Sequence, residues 1–478
     1  MIIAHLFKED DNRWKIQSNE EHCAGVAGLA SRFAGEFGMS SWGGLIGFLH
    51  DKGKESNAFQ QHIKKVSGYS PEVKVIGNYH HAYVGGAIAG KQYGKSADNL
   101  IVNQILSHHS GLHDSDEIDA AIKKEMDQNH DGQQLPPEIN TDIGTIKLNK
   151  PPFVLSPNDF HHLARMLFSC LVDADYLDTE SFMDKTSSEL RSGKATLTEL
   201  LPKLENYLLE LKANATDSAV NHVRDEVQNQ CIRTSESPIG FYSLTVPTGG
   251  GKTLSSLVWA MRHAIHNGQD RVIVAIPYTS IIVQTASILR NIFGEENVLE
   301  HHSNADPEQI RDERLRERMR LATENWDYPI IVTTNVQLFE SMFDNRPSVC
   351  RRLHNIVNSV IILDEVQTLQ VDYLQPIVDS LKTYNKLFKM SVLFTTASQP
   401  VLSGVIEGCN PKASFSGINE IKEIIPENFR LHDKLRRVRL DIDNEGKTYD
   451  EVAGMLTRHK RVLCVVNTRN DAKELYKR

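Results

Sequence analysis

His50 and Asp51 stand side by side at the end of an apolar run, Gly44-Leu45-Ile46-Gly47-Phe48-Leu49. Imidazole nitrogen and carboxylate oxygen suit a divalent first-row ion, and Mn, Fe, Co, Ni and Zn all accept that donor set. A lone His-Asp pair arises by chance. Here further candidate ligands recur about one helix and a loop apart: His22, His80-His81, His108-His109 and Asp173-Ala174-Asp175. Any one of these histidines, taken alone, reads as a surface or packed residue. Twelve of the twenty in the chain fall within residues 1–162, however, and ligands from several helices can converge in one bundle core. The chemistry such a site serves is attack on an anion. A phosphodiester resists water; one bound metal lowers the pKa of a water, and two clamp the attacking and leaving oxygens. Two metals call for about six or seven protein ligands with a carboxylate between them. Asp51, beside His50 and in the middle of the set, is the natural bridge. Lys54 lies one helical turn beyond His50 and could offer its charge to a phosphate oxygen; a solvated surface lysine is the alternative.

Thr248-Gly249-Gly250-Gly251-Lys252-Thr253 forms a second constellation. It follows a short apolar strand at 241–246 and precedes a helical pattern at 254–264, the strand, loop and helix context of a phosphate-binding loop. Backbone N–H groups there cradle phosphates, Lys252 reaches the outer ones and the Thr253 hydroxyl serves Mg²⁺, so ATP with Mg²⁺ is the expected ligand. The strict pattern puts glycine at 246, where this chain has Val246. Further apolar strands follow at 271–276, 329–332, 360–363 and 391–394. After 363 comes Asp364-Glu365-Val366-Gln367, and after 394 comes Thr395-Thr396-Ala397-Ser398. Asp364 at a strand end suits Mg²⁺, and Glu365 suits the orientation of an attacking water. Strands alternating with helices imply an α/β domain built on a mostly parallel sheet.

The chain that positions these groups has 478 residues, too many for one ordinary domain. Residues 1–205 read as an all-α domain. A helical pattern at 20–37 carries His22 in its first turn, and a small-residue helix follows His81. Residues 101–106 lead to His108-His109 with Gly111 as the stop, and a strongly apolar helix at 160–177 ends in the Asp173-Ala174-Asp175 stretch. Residues 114–152 turn polar and read as an insertion, in which Asn129-His130-Asp131-Gly132 is a turn signal and His130 a loop residue rather than a ligand. Leucines at helical spacing from Leu197 to Leu211 run into a charged helical connector at 206–236. The α/β domain takes 237–425, and 426–478 opens a second unit of the same kind with 461–466 as its first strand. The net charge of −9 leaves no global basic footprint, so any nucleic acid must use a local groove. Six cysteines without paired spacing point to a reduced, cytoplasmic protein rather than a disulfide frame. Polar residues soon after Met1 argue against a signal peptide, and the lack of an 18-residue apolar run argues against a membrane span.

With both halves in view, the chain resembles the CRISPR-associated helicase-nuclease of type I systems, in which an HD-type nuclease domain precedes a superfamily 2 DExD/H helicase. The resemblance is carried by His22, His50-Asp51, His81, His108-His109 and Asp175, then by the Pro247-Thr248-Gly249 lead of the phosphate loop, Asp364-Glu365 and Thr395-Thr396-Ala397. Ala174-Asp175-Tyr176-Leu177-Asp178-Thr179-Glu180, Glu324-Asn325-Trp326-Asp327 and Leu338-Phe339-Glu340-Ser341 add to it. It implies a multidomain fold, an HD domain followed by a first RecA-like ATP-binding domain, with a second RecA-like domain only begun. It implies that His22, His50, Asp51 and Asp175 hold one divalent transition metal, and that His81, His108 and His109, with Asp51 bridging, hold another. His81 is chosen over His80 because the family's histidine precedes a glycine by four positions, as His81 precedes Gly85. Catalytic roles then fall to His50, Asp51, Lys54 and Glu365, and ATP binding to Thr248, Gly249, Gly250, Gly251, Lys252, Thr253, Asp364 and Glu365. The family resembled here degrades single-stranded DNA opened by the crRNA-guided surveillance complex (Cascade), moving along it with ATP, in antiviral defence. Gln367 stands where many relatives carry His. The later helicase motifs with their arginine fingers do not appear before Arg478, so weak ATP turnover is the expectation for these residues. Two other readings compete: an HD nucleotide phosphohydrolase with a regulatory ATPase domain, and an RNA helicase whose N-terminal module is structural.

Overall fold

A strand can bury every residue only between two layers. Arg271–Ile276 does so along its whole length: Val272, Val274 and Ile276 enter one apolar core, while Ile273 and Ala275 enter another on the opposite face. That accounts for its unbroken apolar reading. Around it, Lys422–Glu423, Phe241–Thr245, Ser391–Thr396, Ser359–Asp364, Arg271–Ile276, Ile330–Thr334 and Val298–His301 pair in that order, every neighbour parallel. Register aligns the functional ends. Thr245 pairs with Thr396, and Asp364 with Thr395, so the phosphate loop and the Asp364-Glu365 pair flank one strand at the carboxyl edge of the sheet, where ligands of such folds bind.

This computed structural model describes residues 1–94, 98–127, 135–144, 146–305, 310–397, 401–407 and 414–478. The expected turn at Asn129-His130-Asp131-Gly132 and the residue Ser398 lie outside them. The described chain divides into two units, Met1–Leu435 and Arg436–Arg478.

The N-terminal half is not all-helical. It opens on an antiparallel hairpin, Ile3–Lys8 with Trp14–Ser18, which turns at Asn12 (φ +65°) and buries Ile3, Ala4 and Leu6. Helices Asn19–Gly35, Ser40–Leu49, Ala82–Tyr93 and Phe160–Met183 follow. Phe160–Met183 is central, with Leu163, Met166, Leu167, Phe168, Cys170, Leu171, Val172 and Ala174 all buried. These helices and one face of the sheet share a single core, since Val26, Leu45, Leu167 and Phe168 pack in one cluster with Ile273, Ile361 and Phe394.

The other face of the sheet is covered by Lys252–Asn267 and Thr279–Phe293, and Leu197–Ala213 and Ala219–Thr234 pack on the outside of those two helices. Leu197, Leu200, Leu204, Leu208, Val223 and Val227 belong to one apolar cluster with Trp259 and Leu289 of those helices and Leu244 and Val274 of the sheet. The expected boundary at 205/206 falls inside the helix Leu197–Ala213, and 206–236 packs on the helices that flank the sheet. The leucine stripe needs an apolar partner, and the helices Lys252–Asn267 and Thr279–Phe293 supply it. The polar stretch at 114–152 contains one helix, Ile118–Asp127. Arg436–Arg478 holds the helices Tyr449–Leu456 and Arg469–Tyr476. The strand expected at 461–466 does not form, because a strand exists only with a ladder partner and this unit contains none. Among the described residues no helix is long and apolar enough to cross a membrane.

Candidate metal centre and phosphate loop

His22 lies in the first turn of Asn19–Gly35. A capping box sets that start: the Ser18 hydroxyl accepts from Glu21 N–H, and the Glu21 carboxylate accepts from Ser18 N–H. His50 caps the end of Ser40–Leu49. The two helices cross closely because Gly47 lacks a Cβ, which would lie 2.8 Å from Ala27 Cα. Gly85 permits a second close approach; a Cβ there would lie 1.9 Å from Leu49 O. The start of Ala82–Tyr93, with His81 at its N-cap, thereby closes onto His50-Asp51. His108 ends Asn103–Ser107 after a π-helical turn at Asp98–Val102, a wide turn found often at functional sites. Asp175 projects from Phe160–Met183.

These side chains meet in two clusters that share Asp51: His22, His50, Asp51 and Asp175, and Asp51, His81, His108 and His109. Within each cluster one ligand atom per residue lies within 4.8 Å of all the others. Asp51 Oδ2 is 3.2 Å from His22 Nε2, which is 3.3 Å from Asp175 Oδ1. Asp51 Oδ1 turns the other way, 3.2 Å from His81 Nε2 and 3.4 Å from His108 Nε2. His80 points elsewhere, with Nδ1 2.9 Å from Glu125 Oε2. Lys54 is buried in the short 3₁₀ turn Lys52–Glu55 and brings Nζ to 2.6 Å from Asp51 Oδ2.

The electrostatics of these clusters call for cations. Nδ1–H of His22 donates to Asp178, that of His50 to Gly47 O and that of His108 to Ile105 O, each at 2.7 Å. With those protons placed, every Nε2 turns a lone pair into the site. His22 and His50 Nε2 are only 3.3 Å apart, which is repulsive unless a positive charge lies between them. Burial opposes a proton on His22, yet hydrogen bonds to Asp175, Asp178 and Asp51 outweigh it and raise the pKa to about 10. For His50, burial is likewise outweighed by the Asp51 charge and the contact with Asp175, giving about 9. Asp51 stays ionised well below the usual range despite burial, held there by His50 and Lys54; Asp175 does the same through His22 and His50. In the other cluster burial and the neighbouring His108 and His81 push His109 down to about 3, and burial lowers His81. Neutral imidazole is the form that binds metal. Among the described residues Asp51 Oδ1 and His108 Nε2 are buried without any hydrogen-bond partner. Orphaned acceptors facing one space among histidines fit metal ions.

Sequence reasoning missed the groups behind the clustered donors. Asp178 holds His22 and also accepts from Gln17 Nε2 at 2.8 Å. His5, from the hairpin, sets its ring edge-on to His22 at 4.7 Å. The signal for Asp178 was its place three residues after Asp175, on the same side of a helix; His5 carried none.

At the sheet edge, Thr248, Gly249, Gly251, Lys252, Thr253 and Glu365 line a cavity of about 860 Å³. Gly250 N–H bonds to Pro247 O within the loop. Lys252 pairs with Glu365 and lies 3.1 Å from Asp364 Oδ1. Asp364 also accepts from Thr395 Oγ1 at 2.5 Å. Glu365 holds a left-handed backbone (φ +49°), a strain that non-glycine residues keep mostly at functional sites. Gln367 donates to Glu365 Oε2 (2.5 Å) and accepts from Thr396 Oγ1 (2.6 Å), tying the acidic pair to the threonines of the next strand. Arg224, unnoticed in the sequence, lines the same cavity and donates to Gly249 O at 3.0 Å.

Comparison with known proteins follows the same division. Residues 225–403 match the DEAD/DEAH box helicase family. The chain is 30% identical over 235 residues to a Haloferax volcanii protein named CRISPR-associated nuclease/helicase Cas3, covering 43% of this chain and 25% of that protein. A Methanocaldococcus jannaschii relative carrying the Cas3 nuclease/helicase name is 23% identical over 489 residues, 90% of this chain and 64% of its own length. The chain thus spans less than two thirds of each. Among solved structures, T. fusca Cas3 superimposes with a TM-score of 0.50 at 16% identity, over 82% of this chain and 49% of that one; its ADP form gives the same values. At that identity the likeness is one of fold.

Proposed function

We propose, for a chain that is a relative of the Cas3-type nuclease/helicases, that residues 1–183 form an HD-type nuclease centre hydrolysing phosphodiesters of single-stranded DNA, and that the adjoining RecA-like domain binds ATP to drive movement along the strand. The observation that carries the reading is the pair of four-residue clusters sharing the buried Asp51. His22, His50, Asp51 and Asp175 would hold one divalent transition ion, and His81, His108, His109 and Asp51 the other. Mn, Fe, Co, Ni and Zn all suit these donors. Ions bound there would polarise a phosphate and lower the pKa of a water.

The chain's own groups do the rest. Asp178, Gly47 O and Ile105 O hold three imidazoles in the tautomer that leaves Nε2 free. Lys54, beside Asp51, presents an ammonium toward the reacting anion. At the other site the loop 248–253 and Lys252 would hold the phosphates of ATP, Asp364 would serve Mg²⁺ and Glu365 would orient water. Lys252 must leave Glu365 to do so, which frees that carboxylate as nucleotide arrives. By resemblance the DNA is delivered by a crRNA-guided surveillance complex, and the role is antiviral defence.

The test is metal analysis of the purified chain together with cleavage of a labelled single strand and, in parallel, of free nucleotides. Metal-dependent DNA cleavage lost in Asp51→Ala is expected. Hydrolysis of nucleotides without cleavage of DNA would favour a phosphohydrolase instead.

A further inference from the structure

Asp173 precedes Asp175 by two residues on Phe160–Met183, so it points about 200° away around the helix. Asp175 and Asp178 face the metal-type cluster; Asp173 faces the α/β half. Its carboxylate is 0% exposed. Arg351 Nε donates to Oδ1 at 2.7 Å, while His354 Nε2 (2.9 Å) and Asn325 Nδ2 (3.1 Å) donate to Oδ2. All three partners belong to the helicase half. Asn325 ends the helix Glu313–Asn325, and Arg351 and His354 lie just before the strand Ser359–Asp364. Arg351 takes a second hold on the same helix, its guanidinium 4.5 Å from the ring centroid of Tyr176. Arg351 is therefore in contact with the residues on both sides of the Ala174-Asp175 step. The His354 ring also stacks on Phe33 at 4.2 Å, and Phe33 belongs to the helix that carries His22.

The surrounding core is apolar and would join the two halves without any charge. A buried carboxylate is costly unless fully paired, and apolar contacts tolerate rotation of a helix about its axis. Directional hydrogen bonds do not. Metal ligands demand that kind of constraint, since a site held about an ångström too loosely loses function. We propose that Arg351, with His354 and Asn325, is a positioning residue of the nuclease centre: through Asp173 and Tyr176 it sets the rotation of Phe160–Met183, and so the places of Asp175 and Asp178 beside His22 and His50. The inference rests on the metal reading of those clusters. It has a selective consequence. The cluster of Asp51, His81, His108 and His109 takes no ligand from this helix, so only one of the two sites depends on the clamp.

Titration of the full chain with Mn²⁺, following free Mn²⁺ by electron paramagnetic resonance, reads both sites. The wild type is expected to bind two ions. Arg351→Gln should bind one of them about 10–100-fold more weakly, the range for outer partners of metal ligands, with the other unchanged. Arg351→Lys keeps the charge and should recover part of the loss. Tyr176→Leu removes the second hold at a partly exposed position, leaves no buried charge unpaired, and should weaken the same site less; it and Arg351→Lys decide the matter if Arg351→Gln fails to fold, as judged by circular dichroism. Two ions bound at wild-type affinity in the folded variants overturns the inference, and so does equal weakening of both sites. A wild type that binds no Mn²⁺ overturns the metal reading itself.

Discussion

The His22 ring cannot choose its tautomer freely, because Asp178 takes the proton side and is itself held by Gln17. Asp178→Ala removes that hold without touching a ligand. Metal affinity is expected to fall about 10–100-fold. The rate of single-strand cleavage plotted against Mn²⁺ concentration should then shift to higher metal and recover at saturation. Asp51→Ala should behave differently, since it removes a ligand from both clusters at once: no metal concentration should restore cleavage, while the helical circular dichroism stays. Recovery at high Mn²⁺ would show that Asp51 does not join the two sites. Residue type explains why the clustered donors were legible in the sequence and Asp178 was not. A histidine repeated at helix-sized intervals announces a donor set. A carboxylate that touches only another side chain announces nothing until the helix is seen edge-on, with positions 175 and 178 on one side.

Elements carry the ligands, and close approach between them is what makes the clusters small. At Gly85 an added methyl would meet a backbone oxygen, Leu49 O, at 1.9 Å, and no rotamer relieves a clash with backbone. Gly85→Ala should therefore cost about 1–3 kcal/mol, as overpacking does, and draw His81 away from Asp51. Urea unfolding and Mn²⁺ stoichiometry check the two effects separately. The strands Arg271–Ile276, Ile330–Thr334, Ser359–Asp364 and Ser391–Thr396 were legible because each is buried on both faces around a run of apolar residues; Phe241–Thr245, with Ser243 and Thr245 in it, was legible through the glycine loop that follows. The hairpin Ile3–Lys8 with Trp14–Ser18 was not, since only part of one face is buried and its residues mix charge with apolar groups. The position of Leu197–Ala213 was also hidden: a leucine stripe demands a partner without naming it. On the same side of the sheet His263 is buried, stacked on Trp259 and bonded to Ser235 O and Ser391 Oγ. Burial lowers its pKa from 6.5 to about 4. The folded state thus binds this proton less readily than the unfolded chain, so its stabilising share is complete above pH 6.5 and is lost as pH falls from there toward about 4. His263→Asn should be less stable at pH 8 and lose less further stability on going to pH 5 than the wild type does. An unchanged slope in thermal melts across that interval would contradict the assignment.

On the scale of the whole molecule, mechanical and chemical connection part company. The N-terminal helices and one face of the sheet share one core, and Asp173 is clamped by residues of the other half, so Met1–Leu435 is a single unit. Yet the two sites share no residue. The metal-type clusters draw on positions 22 to 175, and the phosphate cavity on positions 208 to 365. Charge complementarity within each site is also satisfied locally, Lys54 with Asp51 and Lys252 with Asp364 and Glu365. Hydrolysis of a strand short enough to reach the metal centre by diffusion has no use for a motor; cleavage that requires feeding a long strand does. Lys252→Ala removes the charge expected to grip the outer phosphates, and because Lys252 pairs, among the described residues, only with Asp364 and Glu365 at the sheet edge, its loss gives no reason for the N-terminal helices to move. The expected result has two arms. Cleavage of a short labelled single strand in Mn²⁺ should proceed at the wild-type rate in Lys252→Ala, and ATP should leave the wild-type rate unchanged. Removal of metal with a chelator should stop both proteins. A strict ATP requirement for cutting the short strand, or its loss in Lys252→Ala with metal content intact, would show that nucleotide binding governs the nuclease centre through the shared core, and that the separation argued from the residue sets is wrong.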